Sequence, residues 1–303
     1  MKHALLLPKA VLAAIFGALV VTGPASAAGT LDKVREAGRL TIGYDNDARP
    51  VSYDESPGKP AGYAVAVCGR IADAVRDALK VPGLTVQFVA LPRGDGFAAL
   101  EQGRVDLLCG AVPTLERRAK VDFSVPILLS GTSVAVSSNA PVRLVQVLRD
   151  RAVDGPNWRG SLNQAPQRVN LGVAGSTALE KALRDALQER RIVANVVTVK
   201  DSAEGLQKLA DGQLHAYFDD RSLLTNAVGR RDKASDVVVL DRLFRRDLVA
   251  LGVRRQDDDF RLLVDRTLSR LYRSKDFPAL YAKDLGAPAA GALDFFQLVA
   301  LPD

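Results

Sequence analysis

The sequence predicts an α/β protein built from two similar halves, and three observations lead there. Short apolar runs alternate with amphipathic ones in the order strand, helix, strand, helix, strand from residue 40 to residue 109. The same order returns from residue 169 to residue 218, without any sequence repeat. The length that remains after an N-terminal leader suits one large domain or two lobes of about 120 to 150 residues each.

The leader comes first. Lys2 and Lys9 precede an apolar run over 10–21, and Ala25-Ser26-Ala27 supplies the small residues of a cleavage site, so residues 1–27 read as a secretory signal peptide. That run is short for a bilayer, and no later one approaches the roughly 20 apolar residues a membrane helix needs. No cysteine stands directly after it to carry a lipid anchor, so an anchored lipoprotein is not expected. The expected mature chain, residues 28–303, is soluble and exported to the periplasm. Loss of the two lysines lowers the formal charge from +6 to +4, spread without a basic tail or an aromatic-rich basic patch. Nucleic acid is therefore not an expected partner.

Along the mature chain, Leu40-Thr41-Ile42-Gly43-Tyr44 opens as a strand, and residues 45–60 are rich in turn formers. Cys68, Ile71, Ala72, Val75 and Leu79 then recur at helical spacing. Leu84, Val86 and Phe88 alternate as a strand, Phe97 and Leu100 begin a short helix, and residues 105–109 form a buried strand ending at Gly110. Thr114 and Arg117 suit a helical turn that leads into a further extended segment at Asp122-Phe123-Ser124. The pattern weakens over 141–167, read as a loop-rich insertion with a short helix near 144–151. The second half supplies strands over 169–173, 193–199 and 214–218, with helices over 178–188 and 203–209. A strand over 248–253 and an amphipathic helix marked by Phe260, Val264, Leu268 and Leu271 complete the chain.

Cys68 and Cys109 are the only cysteines. An even pair in an oxidising compartment favours a disulfide, and closing the loop 68–109 contributes roughly 4 kcal/mol on the chain-entropy model. Two buried free thiols are the alternative, since one residue lies on an apolar helix face and the other ends a buried strand.

The chemistry-bearing residues are few. Arg117 stands just beyond a strand and a polar turn, where a guanidinium can grip a planar carboxylate through two parallel N–H···O bonds. Gly175-Ser176-Thr177 precedes a helix, so its backbone N–H groups and hydroxyls suit an anion or a simple helix cap. Asp220 ends a strand, where its carboxylate can hold an ammonium group or pair with Arg221. Together these groups would recognise the constant part of an α-amino acid. Catalytic sets are hard to assemble: His3 leaves with the signal peptide, His215 is then the only histidine, and neither a G-x-S-x-G elbow nor a phosphate loop occurs. No metal site or cofactor is expected, and no catalytic residue is nominated.

At these motifs the chain resembles the periplasmic solute-binding proteins of polar amino acid ABC transporters, the bacterial extracellular solute-binding proteins of family 3. The resemblance covers nearly all of the mature chain. It is most specific at 110–124, where small polar residues, T-x-x-R at Thr114 and Arg117, and Phe123-Ser124 follow a strand. It implies two α/β lobes, each a central sheet with flanking helices, joined by two hinge crossovers, with lobe 1 at 28–130 and 251–303 and lobe 2 at 131–250. It further implies that Arg117, and not Arg118, binds a ligand α-carboxylate, with Gly110, Val112 and Thr114 in the same turn. Ser176 and Thr177 become the second carboxylate turn and Asp220 the ammonium site. Cys68 and Cys109 resemble a disulfide pair of the glutamate/aspartate-like branch.

The departures fall at the pocket: Ala48 stands in place of a frequent aromatic, Pro50-Val51 in place of P-F, and Ala64 and Ala66 in place of two aspartates. Asp45 occupies a position where acid-binding relatives carry arginine. It would repel a ligand carboxylate and suit a cationic or polar side chain, or else serve as a turn residue in Asp45-Asn46-Asp47. The resemblance implies a monomer that binds an amino acid or related zwitterion and delivers it to a membrane permease. The alternatives are a cyclohexadienyl-type dehydratase on the same fold and the binding component of a sensor.

Overall fold

The computed structural model describes residues 29–138, 140–150, 169–175, 178–189, 193–231, 236–288 and 291–302. The first half begins with helix α1 (Thr30–Ala37) and strand β1 (Arg39–Asp45), whose core face carries Leu40, Ile42 and Tyr44. The turn-rich stretch that follows is more ordered than its composition suggests. It forms a three-stranded antiparallel sheet of β2 (Asp47–Ala48), β3 (Ser52–Ser56) and β4 (Lys59–Ala61). Gly62 has φ +107°, and a Cβ there would stand 2.6 Å from the carbonyl oxygen of Val51, so only glycine lets this small sheet press against the next helix.

That helix, α2 (Tyr63–Leu79), buries the predicted stripe of Cys68, Ile71, Ala72, Val75 and Leu79. Then come β5 (Thr85–Leu91), α3 (Gly96–Glu101), β6 (Leu107–Ala111) and the single turn α4 (Leu115–Arg118). The strand at 105–109 is displaced toward its C-terminal end. Asp106 is buried and holds Lys33 at 2.7 Å while accepting the Thr41 N–H, so it packs as an anchor before the strand and not within it.

β7 (Val121–Ser137), with 17 residues, runs through both halves. The helix expected near 144–151 is α5 (Val142–Leu148), and most of the remaining insertion lies outside the described residues. β8 (Val169–Ala174), α6 (Ala178–Glu189), β9 (Ala194–Val199), α7 (Ser202–Ala210) and β10 (Ala216–Asp220) reproduce the expected alternation. α8 (Arg221–Gly229), β11 (Val237–Val239) and β12 (Arg245–Arg254) follow. The amphipathic helix α9 (Asp258–Arg273) is not the last element. α10 (Phe277–Leu285) and α11 (Ala292–Val299) return Phe277, Tyr281 and Phe296 to Tyr272 in an aromatic cluster with centroid spacings of 4.7 to 6.3 Å.

The large sheet has the order β5-β1-β6-β12-β7-β10-β8-β9, with β11 also on β7. β1 is parallel to β5 and β6, and β8 is parallel to β9 and β10. Between these parallel halves, β7 and β12 pair antiparallel with each other and with their neighbours. The two-lobed α/β architecture therefore has two connecting strands at its waist. The carboxyl ends of β1, β5 and β6 on one side, and of β10 on the other, open on one cleft, where ligands of open α/β sheets bind. No helix among the described residues is long and apolar enough to cross a membrane.

Candidate functional site in the cleft between the halves

A cavity of about 220 Å³ occupies this cleft. Asp45 ends β1 at its wall, Gly110, Ala111 and Val112 continue from β6, and Asp219 and Asp220 close β10 opposite. The connecting strands add Ser130, Thr132 and Asp247.

Arg117 reaches the cavity from α4. Thr114 caps that turn, its hydroxyl oxygen accepting the Arg117 N–H at 3.1 Å, and so fixes where the arginine leaves the chain. Thr114 itself does not line the cavity. The Arg117 Nη1 donates to the Val112 carbonyl at 2.8 Å, and the guanidinium lies 4.3 Å over the Phe97 ring. Among the described residues no carboxylate lies within ion-pair distance of it. Burial lowers its pKa below the ordinary arginine value; Glu116 opposes this and Arg245 adds to it. Gly110 has φ +87°, a left-handed conformation that lets the strand turn sharply into this segment. The disulfide between Cys68 and Cys109 is present and ties the residue before that glycine to α2.

On the far side, Asp220 caps α8 and accepts the Ser222 N–H at 2.8 Å, together with a bond from the Ser222 hydroxyl. Arg221, its sequence-level rival partner, turns instead to Asp241 at 2.9 Å. Burial raises the Asp220 pKa, the Ser222 hydrogen bonds oppose the shift, and Asp219 adds to it. Ser176 and Thr177 lie outside the described residues; Gly175 donates its N–H to Val199 at 2.9 Å. His215 accepts the Asn170 N–H through Nδ1 at 3.1 Å, a structural contact before β10.

One residue of the cleft is invisible to motif reading. Arg93, between β5 and α3, donates to Asp45 and to Asp219 at 3.3 Å each, and to the Asp47 carbonyl at 3.3 Å. It thus joins the two halves. Burial works against its charge, but the carboxylates of Asp219 and Asp45 outweigh it and hold the pKa above the ordinary value. Asp219 also accepts from Ser202 at 2.7 Å and Tyr217 at 2.8 Å, and takes the Asp220 N–H at 2.8 Å. Asp45, expected to face the ligand or to shape a turn, does line the cavity, but its Oδ2 is held by Arg93 and its Oδ1 takes the Asp47 N–H at 2.9 Å. The signal that could have revealed Arg93 is the pair of acidic runs, Asp45-Asn46-Asp47 and Asp219-Asp220, which need a cation when buried.

Residues 40–287 match the bacterial extracellular solute-binding proteins, family 3. The chain belongs to that family. It is 28% identical over 280 residues to an L-glutamate/L-aspartate-binding protein of Pseudomonas aeruginosa, covering 92% of this chain and 86% of the relative. Among solved structures, a cysteine-binding protein from Campylobacter jejuni is similar with a TM-score of 0.67 at 22% identity, covering 85% of this chain and 93% of that one. An ancestral amino acid-binding protein, a precursor of cyclohexadienyl dehydratase, is similar with a TM-score of 0.67 at 23% identity, covering 85% of this chain and all (100%) of that one. For this family-3 member both structural likenesses bear on the fold alone, and no group of three or more His, Cys, Asp or Glu side chains is placed to hold a metal among the described residues.

Proposed function

We propose that this family-3 protein binds an amino acid in the cleft and delivers it to the permease of an ABC transporter. One observation carries the reading: a guanidinium, Arg117, and a carboxylate, Asp220, neither with a partner of opposite charge among the described residues, line one cavity from opposite halves. Opposite unpaired charges on facing walls suit a zwitterion, with the α-carboxylate on Arg117 and the ammonium on Asp220. Ser176, Thr177, Gly110 and the carbonyl of Val112 are the further contacts in this reading. Binding involves no bond made or broken. The glutamate/aspartate name of the Pseudomonas relative supports the amino-acid class.

The same reading places the protein in the periplasm as a monomer after removal of residues 1–27. Its lobes are 28–130 with 251–303, and 131–250; the two boundaries fall inside β7 and β12. Bending of those strands would close the cleft over the ligand and present a closed surface to the permease.

Titration calorimetry of the chain without residues 1–27 against the twenty amino acids tests this. At least one is expected to bind, to be recovered unchanged, and to lose about a hundredfold or more in affinity in Arg117→Ala, since a bidentate charged pair contributes about 3 kcal/mol. Unchanged affinity in a folded Arg117→Ala protein would remove the site.

A further inference from the structure

Four carboxylates line the cavity, Asp45, Asp219, Asp220 and Asp247, against two guanidiniums, Arg93 and Arg117. Asp247 takes the Arg245 Nε at 2.5 Å, and Asp220 is the carboxylate assigned above to the ligand ammonium. Asp45 and Asp219 stand on opposite halves with Arg93 between them, 3.3 Å from each. Two further carboxylates lie close by, Asp47 in the first half and Asp201 in the second. Loss of solvent raises the Asp47 pKa and Asp201 raises it further; Arg93 opposes the shift, and Asp45 and Asp219 add to it. The Lys200 Nζ pairs with Asp201 at 3.5 Å from a largely exposed side chain. Among the described residues, no other ion pair or side-chain hydrogen bond links residues 28–130 and 251–303 to residues 131–250.

We propose that Arg93 is a clasp across the cleft, a positioning residue that joins the halves around the amino acid by neutralising the carboxylates that closure brings together. This rests on the reading of the cleft as an amino-acid site that closes by bending of β7 and β12, and it assigns the residue that sets how firmly it closes. Like charges repel more strongly as they approach and as water is excluded, so two acidic walls need a cation between them to meet. The Arg93 and Asp219 side chains are 14% and 8% exposed, which leaves little water to screen them. Each carboxylate is fixed by its own half. Ser202, Tyr217 and the Asp220 N–H hold Asp219, and the Asp47 N–H holds Asp45. The planar guanidinium, with its several donors, spans both carboxylates and the Asp47 carbonyl at once, which the point charge of a lysine cannot do. Its contribution is made to the protein and not to the ligand, and is therefore the same for every amino acid the cleft accepts. By holding the halves together it slows the escape of the ligand more than it hastens its arrival.

Calorimetry on Arg93→Gln and Arg93→Lys, against the amino acids that the parent binds, tests the clasp. Arg93→Gln should weaken each of them by about tenfold or more, and all by the same factor. Arg93→Lys, which keeps the charge but not the fork, should weaken them by about threefold and carries the test if Arg93→Gln does not fold. Asp47→Asn removes a carboxylate that lies outside the cavity lining. It should tighten binding about threefold when added to the Arg93 variant, and should not tighten it in the parent. Unchanged affinity in the Arg93 variants, a loss confined to amino acids with a charged side chain, or no recovery on adding Asp47→Asn overturns the clasp and leaves the amino-acid reading standing. A parent that binds none of the twenty amino acids overturns both.

Discussion

The two walls of the cleft are prepared in opposite ways. On the β6 side, Arg117 has one carbonyl, one ring face and its own helix cap for company, and the support beneath it is covalent, through Cys68 and Cys109. On the β10 side there is no covalent support. Asp219 and Asp220 sit instead in a dense set of hydrogen bonds from Ser202, Tyr217 and Ser222. A cation without an ion-pair partner among the described residues faces a largely buried, hydrogen-bonded pair of carboxylates. The first wall therefore gains most from a ligand carboxylate, while the second gains less per contact but is already in position before the ligand arrives.

The contrast predicts which perturbation weighs most. Replacing both cysteines by serine should destabilise the first half by roughly 4 kcal/mol, the loop-closure value for a crosslink of this span, read as a lower urea midpoint. A midpoint within experimental error of the parent would mean that packing of α2 on β6 suffices without the bond. Asp220→Asn comes next. It keeps the helix cap but loses the charge, and should weaken amino-acid binding by about tenfold to a hundredfold in calorimetry.

The pH dependence follows from the same carboxyl. Its pKa is raised, first by burial and then by Asp219, with the Ser222 bonds opposing. The ionised form is the one that holds an ammonium group. Affinity should therefore fall as pH falls from neutral through the raised carboxyl value, earlier than an ordinary aspartate near about 3.9 would require. Asp220→Asn should show no such fall in that window. The smallest effect belongs to Phe97→Leu, which removes the ring face under Arg117 and keeps an apolar wall: a loss of about two- to fivefold is expected.

Much of this was legible in the sequence, and the exceptions have physical reasons. Arg117 and Asp220 stand out because local rules place them: a threonine cap three residues before one, and a strand end and helix start around the other. The stripe of α2 and the alternation of β5 are likewise local. Arg93 is not, since Pro92-Arg93-Gly94-Asp95 reads as an ordinary loop and its partner Asp219 lies 126 residues away. The small sheet over β2, β3 and β4 was hidden by strands of two to five residues, too short to show a period. α11 was hidden because residues 286–291 break the pattern before it, and its apolar face has meaning only against Tyr272 and Phe277. Asp45 illustrates the limit of position alone: its place at the cavity wall was readable, but its commitment to Arg93 was not.

The central claim is that the cleft reads both charged ends of an amino acid, the carboxylate on Arg117 and the ammonium on Asp220. Titrating the unmodified protein with its tightest-binding amino acid, with the α-amide of that amino acid and with its N-acetyl derivative tests both ends without altering a residue. Each derivative is expected to bind about a hundredfold more weakly than the parent, because each removes one charge-assisted contact and leaves a buried charge unpaired. Binding of either derivative within about threefold of the parent would contradict the account.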